Sequence, residues 1–551
     1  MFATTIKKVF SMKRLLPLGL AALGALCSAS AQAAAPGITS TAGTTGTFTL
    51  TAQPAYLTQP DGQSIYSWGY GCSAAPPAAA FVPLMPNATP FCSTMQVPGP
   101  TLIVTEGQTV TVTLTNNLPT AAGPTSILFP GFNVTATGGV TGLLTQEAAS
   151  GSTVTYTFTA STPGTHAYYS GTQGDLQVEM GLYGALIVLP ANIPANCTNG
   201  LPATNPGANA TARSTWKESD FRLAASAYDH AATCYDREYL FQFSEMDPSI
   251  HIAAQAQVAI KVGCTAGVAG CSLDVPTEPY HPAYFMINGR SMPDDMDPNY
   301  APMYPNQPYN GNPHMHPGEI TLLRIIGQGR WQHPFHEHAN HVRILARDGN
   351  LLLSPNGNLA GPLMFTTTTT PGIAMDGLFY FTGKGLNWDL YGHNPASADA
   401  NAKLPCTPDA NGYNTGAPTA INYFEWCQDH DKPMQAAPFG DLPAGGPMTL
   451  PDPNIFKNGA WYGGSPYLGP DANTRATFGT CTGTNTTTSC GTTGTTPPSG
   501  TIANNPSQEA GFAFMWHSHN EREITTNNIF PGGMMMMLLI DSREFVIDET
   551  Q

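Results

Sequence analysis

Residues 109–116 read Thr-Val-Thr-Val-Thr-Leu-Thr-Asn, a strict alternation that puts Val110, Val112 and Leu114 on one side of an extended chain and threonines on the other. A period of two marks a half-buried β-strand, and β-branched residues suit that pleated surface. Thr153–Thr159 and the apolar run Tyr183–Leu189 have the same character. Further strands are predicted at 239–243, 284–288, 320–326, 341–346, 378–382, 386–391, 511–516 and 534–540. No segment sustains a long 3.6-residue amphipathic pattern, so no long helix is expected. The 56 Gly and 50 Pro among 551 residues supply the turns that short strands need. Together these features predict an all-β fold of sandwich-type domains.

Two strand-rich units are expected. The first spans 45–190, and the second spans 235–393 and is completed by 511–545, with a linker at 191–234. Residues 394–510 differ: they are rich in Pro, Gly, Asn, Asp and Thr, and they carry Cys406, Cys427, Cys481 and Cys490. They read as a disulfide-pinned, loop-rich insertion, or in the alternative layout as a degenerate third unit. Residues 1–33 read as a signal peptide, with Lys13-Arg14 before the apolar run Leu15–Leu26 and a small-x-small site at Ala31-Gln32-Ala33. The run is too short to span a bilayer. The expected location is therefore periplasmic or extracellular.

Ten cysteines follow the signal and fall in sequence as neighbouring pairs: Cys72 with Cys92, Cys197 with Cys234, Cys264 with Cys271, Cys406 with Cys427 and Cys481 with Cys490. An even count in an exported chain favours disulfides, although order alone does not fix the connectivity. No Cys-x2-Cys pair is present to suggest a zinc site. Beyond residue 33 the chain holds 17 basic and 37 acidic residues, a net charge of −20. Such a surface disfavours nucleic-acid binding and a polybasic membrane contact. No membrane span is expected, and oligomerisation is left open.

Histidine placement carries the chemistry. Of fourteen histidines, two clusters stand out: Gln332-His333-Pro334-Phe335-His336-Glu337-His338 with His341, and Met515-Trp516-His517-Ser518-His519 followed by Glu521 and Glu523. On a strand, residues two apart share a face, so His336 and His338 point together, as do His517 and His519, while Ser518 points the other way. Two such strands side by side would converge four imidazoles, a donor set suited to copper, zinc, iron or nickel. A bland reading, histidines hydrogen-bonded at strand ends without metal, competes with this one. It is the better reading for His314 with His316, and for the isolated His166, His230, His251, His281, His393 and His430. Met534–Met537 reads as a buried strand ahead of a soft copper site, and Asp294, Asp295 and Asp297 as a solvated turn ahead of a calcium site.

Several segments resemble the multicopper oxidase family: Val97-Pro98-Gly99-Pro100-Thr101, Glu106-Gly107, Leu114-Thr115-Asn116-Asn117-Leu118-Pro119, Pro163-Gly164-Thr165 and Gly181 to Val188. Ile287-Asn288-Gly289-Arg290-Ser291, Pro317-Gly318-Glu319 and the two histidine clusters continue the likeness. The resemblance implies tandem cupredoxin-like Greek-key β-sandwich domains, copper as cofactor, and oxidation of a small-molecule or metal-ion electron donor with reduction of O2. It also implies ligands that this chain lacks. Where the family carries His-x-His pairs in its first domain, this sequence has Ile127 to Gly131 and Tyr168 to Gly171. Ser518 stands in the position of the family's type 1 cysteine, Glu523 in that of the following histidine, and Asn528 near that of the axial ligand. His333 matches a type 1 ligand without its partners.

A blue copper site needs a thiolate. The expectation is therefore a copper-binding, multicopper-oxidase-like oxidoreductase with a reduced site. Its metal ligands would be His336, His338, His517 and His519, with His333 as a further candidate and Glu521 or Glu523 as candidate proton relays. The rival expectation is a non-catalytic copper-sequestering protein, or a structural protein of the cell surface, on the same fold.

Overall fold

The computed structural model describes residues 35–82, 92–197, 220–265, 267–381, 407–416 and 511–541, residue 547, and short strand pieces at 388–389, 448–449, 465–468 and 502–503. The expected signal peptide, most of 394–510 and the cysteines of that stretch lie outside the described residues, as does most of the strand expected at 386–391. In the first half, the main strands are β1 (Thr47–Thr58), β2 (Ser64–Cys72), β3 (Leu102–Thr105), β4 (Thr109–Asn116), β5 (Thr153–Thr159), β6 (Gly164–Tyr169) and β7 (Tyr183–Leu189). One sheet runs β2-β1-β4-β5 and ends on Thr135–Gly138; the other runs β6-β7-β3 and ends on Gly37–Ile38 and Phe81–Val82. Both mix hairpins with parallel neighbours, β1 beside β4 and β7 beside β3.

The alternation at 109–116 does what its period requires. Val110, Val112 and Leu114 are fully buried, and they join Trp68, Leu102, Tyr156 and Leu186 in one apolar core. Each such side chain contributes roughly 1.5–3 kcal/mol by leaving water. Pro119 and the β-turn residues around it end the strand pattern, because proline cannot extend the ladder.

The second half contains β8 (Arg237–Met246), α1 (Pro248–Ile260), β9 (Tyr284–Ile287), β10 (Ile320–Gly327), β11 (His333–Glu337), β12 (Val342–Arg347), β13 (Thr366–Thr369), β14 (Ala374–Tyr380), β15 (Gly511–Ser518) and β16 (Met535–Asp541). One sheet runs β9-β8-β10-β14-β12, and the facing one runs His314–Met315, β16, β15, β11, β13. Phe241, Phe335, Phe379, Trp516 and Met536 fill the space between them. Met534 and Met536 are fully buried there, as core residues of the strand region should be. The result is an all-β, cupredoxin-like architecture in which β11 and β15 lie side by side.

Ala185 and Ile187 pack on Leu240, Ile326 and Ala374 between the halves. Thr165 Oγ1 donates to Asp376 Oδ1 at 2.6 Å, and the Arg324 guanidinium lies 2.8 Å from Glu238.

Two sequence expectations need correction. Residues 248–260 form a helix of 13 residues where none was expected. The Asp247 carboxylate caps it by accepting from the Ser249 N–H, and Pro248 occupies the first turn, where its missing N–H costs nothing. Its buried side is narrow (Ile250, His251, Ala254), so it leaves only a weak amphipathic signature. The strand expected at 378–382 begins earlier, at Ala374, because Asp376 is buried as a partner of Arg324 and Thr165 and so disguises a core position as polar.

Three disulfides are formed among the described residues, Cys72–Cys92, Cys197–Cys234 and Cys264–Cys271, each joining sequence neighbours. Loop-closure entropy grows with the span. Removing Cys197–Cys234 (separation 37) is therefore expected to cost about 4 kcal/mol, and removing Cys264–Cys271 (separation 7) about 2 kcal/mol. Denaturant titration of the paired Cys→Ala variants checks the order; equal losses would mean that native-state strain outweighs loop length.

Candidate metal centre

Strands β11 and β15 pair antiparallel with His336 opposite His517, Phe335 opposite Ser518 and Glu337 opposite Trp516. This register puts His336 and His517 on the same face as His338 and His519, which lie just beyond the strand ends. The ring centroids are 4.7 Å apart for His336–His338, 5.6 Å for His336–His517, 5.0 Å for His336–His519, 5.1 Å for His338–His517 and 5.5 Å for His517–His519. Imidazoles sharing one tetrahedral ion through bonds of about 2.0–2.1 Å have centroids about 5 Å apart. The strand pair brings the four predicted residues together.

Their outer atoms are held in place. The His517 ring donates from Nδ1 to its neighbour's carbonyl, Ser518 O, at 2.7 Å, which leaves the Nε2 lone pair facing His338. His338 Nε2 lies 3.2 Å from His517 Nε2, close to the roughly 3.3 Å edge of a tetrahedron with such bonds. His336 Nδ1 is 2.8 Å from the Thr366 hydroxyl on β13. The fully buried Trp516 donates from Nε1 to the His338 carbonyl at 3.0 Å and so anchors the residue past the strand end. Partners of this kind set ring orientation and tautomer at metal sites. His338 Nδ1 is buried with no hydrogen-bond partner, an arrangement that costs free energy unless something else satisfies it.

Burial first, and then the neighbouring rings His336, His517 and His519, push His338 down to about 3. Burial and neighbouring imidazoles also lower His336 and His517. Neutral imidazoles are the form that binds metal. Among the described residues, no group of three or more His, Cys, Asp or Glu side chains is arranged so that it could hold a metal ion as it stands. The ring spacings gather the four imidazoles around one place, and converging their nitrogens on an ion would require the side chains to rotate. Chemically they offer an all-imidazole donor set, open on the side of His519, whose side chain is 55% exposed.

His333 goes elsewhere. It lies fully buried, with Nδ1 2.9 Å from Glu523 Oε2 and Nε2 2.9 Å from Glu245 Oε2. Ser518 points away from the four rings, as strand alternation requires, and its hydroxyl donates to the same Glu523 oxygen. Asn520 Nδ2 donates to the other oxygen at 2.8 Å. The positions that the resemblance assigns to a type 1 copper site are thus joined in a Ser518–Glu523–His333–Glu245 clamp. Both His333 nitrogens are engaged by carboxylates. Glu523 belongs to this clamp, whereas the exposed Glu521 approaches His519 at 4.0 Å from the solvent side. Asn528 is an exposed turn residue with positive φ.

Sequence reasoning missed Thr366, Phe365 and Glu245. Phe365 meets His336 and His341 edge-on, at 5.8 and 5.3 Å. Threonine in a run of five and a lone glutamate 88 residues from His333 give no local signal of these roles. In the first half, Leu128 and Tyr169 bridge each other where the resemblance would place histidine pairs, and neither of these two residues supplies an imidazole.

Residues 87–193 match the family model described as multicopper oxidase. No curated protein matches the chain. Among solved structures, a blue copper oxidase from Nitrosomonas europaea is similar with TM-score 0.41 and 15% identity, over 90% of this chain and 85% of the other. A copper nitrite reductase from the same organism aligns with TM-score 0.36 and 17% identity, over 61% and 84%. A laccase from Botrytis aclada aligns with TM-score 0.32 and 19% identity, over 60% and 46%.

Proposed function

We propose an exported copper-binding oxidoreductase with a reduced site on His336, His338, His517 and His519, a reading supported by the match of residues 87–193 to the multicopper oxidase family model. The observation that carries this reading is the convergence of four imidazoles across one strand pair, with ring centroids 4.7–5.6 Å apart. Copper held there would supply one-electron redox chemistry. The chain's own residues do the rest. Thr366 and the Ser518 carbonyl orient rings, Trp516 fixes the His338 backbone, and the solvent-facing side at His519 admits an electron donor, a small molecule or metal ion, and O2. The two-domain layout with 394–510 as an insertion belongs to the same proposal. Export is consistent with the disulfides; among the described residues, no helix is long and apolar enough to cross a membrane.

A second reading, copper sequestration or delivery without turnover, is favoured by the exposure of His519 and by the lack of imidazoles at Leu128 and Tyr169. Metal analysis after copper loading tests both. One or two coppers per chain support them, and none removes them. Oxygen uptake with a phenol or reduced metal ion then separates enzyme from carrier.

The colour of the loaded protein is a further expected result. A serine hydroxyl stays protonated near neutral pH and cannot replace the thiolate of a blue site. The visible spectrum should therefore lack an intense thiolate-to-copper band. Ser518→Cys should not restore one, because Glu523 and Glu245 hold both nitrogens of His333. A strong blue band in either protein would contradict the ligand assignment.

A further inference from the structure

Two adjoining cavities open beside the four histidines. One, of about 420 Å³, is lined among the described residues by His336, Glu337, His338, His341 and Phe365, with Ala339 and Asn340 between them. The other, of about 410 Å³, shares Asn340 and His341 with the first and continues to Arg343, Leu363 and Tyr380. Each volume suits a small organic ligand. Phe365 and Leu363 are 56% and 57% exposed at this groove, a large share for apolar side chains grouped at one place.

The positive charge of the second cavity is carried by Arg343. Arg343 donates from Nη1 to the Gly361 carbonyl at 2.9 Å, and no carboxylate among the described residues pairs with it. Glu337 also lines the first cavity, but it is buried and one of its oxygens accepts from the Thr367 hydroxyl at 2.7 Å; the remaining lining groups are imidazole, aromatic, aliphatic or amide. Asp409 approaches Tyr380, but one of its carboxylate oxygens accepts the backbone N–H groups of Asn411 and Tyr413, at 2.8 and 3.0 Å, so it is engaged by its own turn. On an extended segment His341 and Arg343 share a face about 7 Å apart. That spacing lets one molecule touch both. A guanidinium with free donors beside an aromatic wall selects a planar carboxylate attached to a ring.

We propose that this groove binds a small aromatic carboxylate, with its ring against Phe365 and His341, its carboxylate on Arg343, and its far edge toward His336. The substrate class so named deepens the copper reading, but the binding itself does not depend on metal.

Calorimetric titration of the metal-free full chain with benzoate tests it, with acetate (the anion without a ring) and benzyl alcohol (the ring without a charge) as comparison probes. Benzoate should bind at millimolar concentration or below, and both comparison probes about tenfold or more weakly. Arg343→Gln should weaken benzoate about tenfold and leave benzyl alcohol unchanged, whereas Phe365→Ala should weaken both. Phe365 is exposed, so its variant does not endanger the fold. No benzoate binding by the unmodified protein, equal binding of benzyl alcohol, or an unaffected Arg343→Gln variant would each overturn the proposal. Failure of copper uptake in protein that still binds benzoate would remove the copper reading alone.

Discussion

Replacing any one of His336, His338, His517 or His519 by Ala should lower copper affinity at least about 100-fold. Even losing the outer partner of a metal-bound histidine costs about 10–100-fold, and these variants remove the ring itself. Competition with a chelator of known affinity measures the loss. The control is His230→Ala, whose ring bonds the Gly357 carbonyl and the Ala232 N–H in an exposed turn and should leave affinity unchanged. Thr366→Val, which keeps the volume but removes the hydroxyl 2.8 Å from His336 Nδ1, should fall between the two. Four unaffected variants would mean that the rings meet without serving a metal. A loss confined to one pair would mean that the strands supply only two ligands.

On the other face of β15, the His333 clamp makes stability depend on pH. Desolvation alone would keep His333 neutral, but the Glu245 and Glu523 carboxylates on its two nitrogens outweigh burial and raise it from 6.5 to about 9. The folded protein therefore holds a proton there that the unfolded chain releases. This contribution is fully present below about pH 6.5 and is lost as pH rises through about 9, a change worth about 3 kcal/mol. Burial raises Glu179 and Glu337 to about 8, so they also bind their protons more tightly when folded and act in the same direction between about 4.5 and 8. The melting temperature should thus fall by roughly 6–12 °C for the His333 step alone if the cooperative unit has about 150–250 residues. Glu523→Gln leaves one carboxylate on the ring and should cost about 3–5 kcal/mol near neutral pH, as breaking a buried pair does. It should also flatten the fall between pH 7 and 9. A pH profile identical to that of the unmodified protein would show that His333 is not held as an imidazolium.

The strand pattern and the histidine pairs were legible because each follows from a local period. Thr-Val alternation at 109–116 needs only the pleat to place Val110, Val112 and Leu114 inside, and His-x-His needs only the same pleat to put two rings on one side. The helix at 248–260 was not legible as an amphipathic pattern, since it buries only Ile250, His251 and Ala254 and is started by a cap. The early start of β14 was hidden because its Asp376 is neutralised by an arginine 52 residues away.

The sequence by itself determined an all-β chain and which histidines share a strand face; it suggested neighbouring cysteine pairs, and the structure fixed Cys72–Cys92, Cys197–Cys234 and Cys264–Cys271. Only the tertiary structure decided that His336 stands opposite His517, so that two pairs become one group of four. It also decided that His333, three residues from His336, belongs to a carboxylate clamp with Glu245 and Glu523. The physical reason is range. Side-chain direction along a strand is fixed by the covalent pleat, whereas strand register and the partner of a buried charge are fixed by hydrogen bonds and desolvation between residues far apart in sequence.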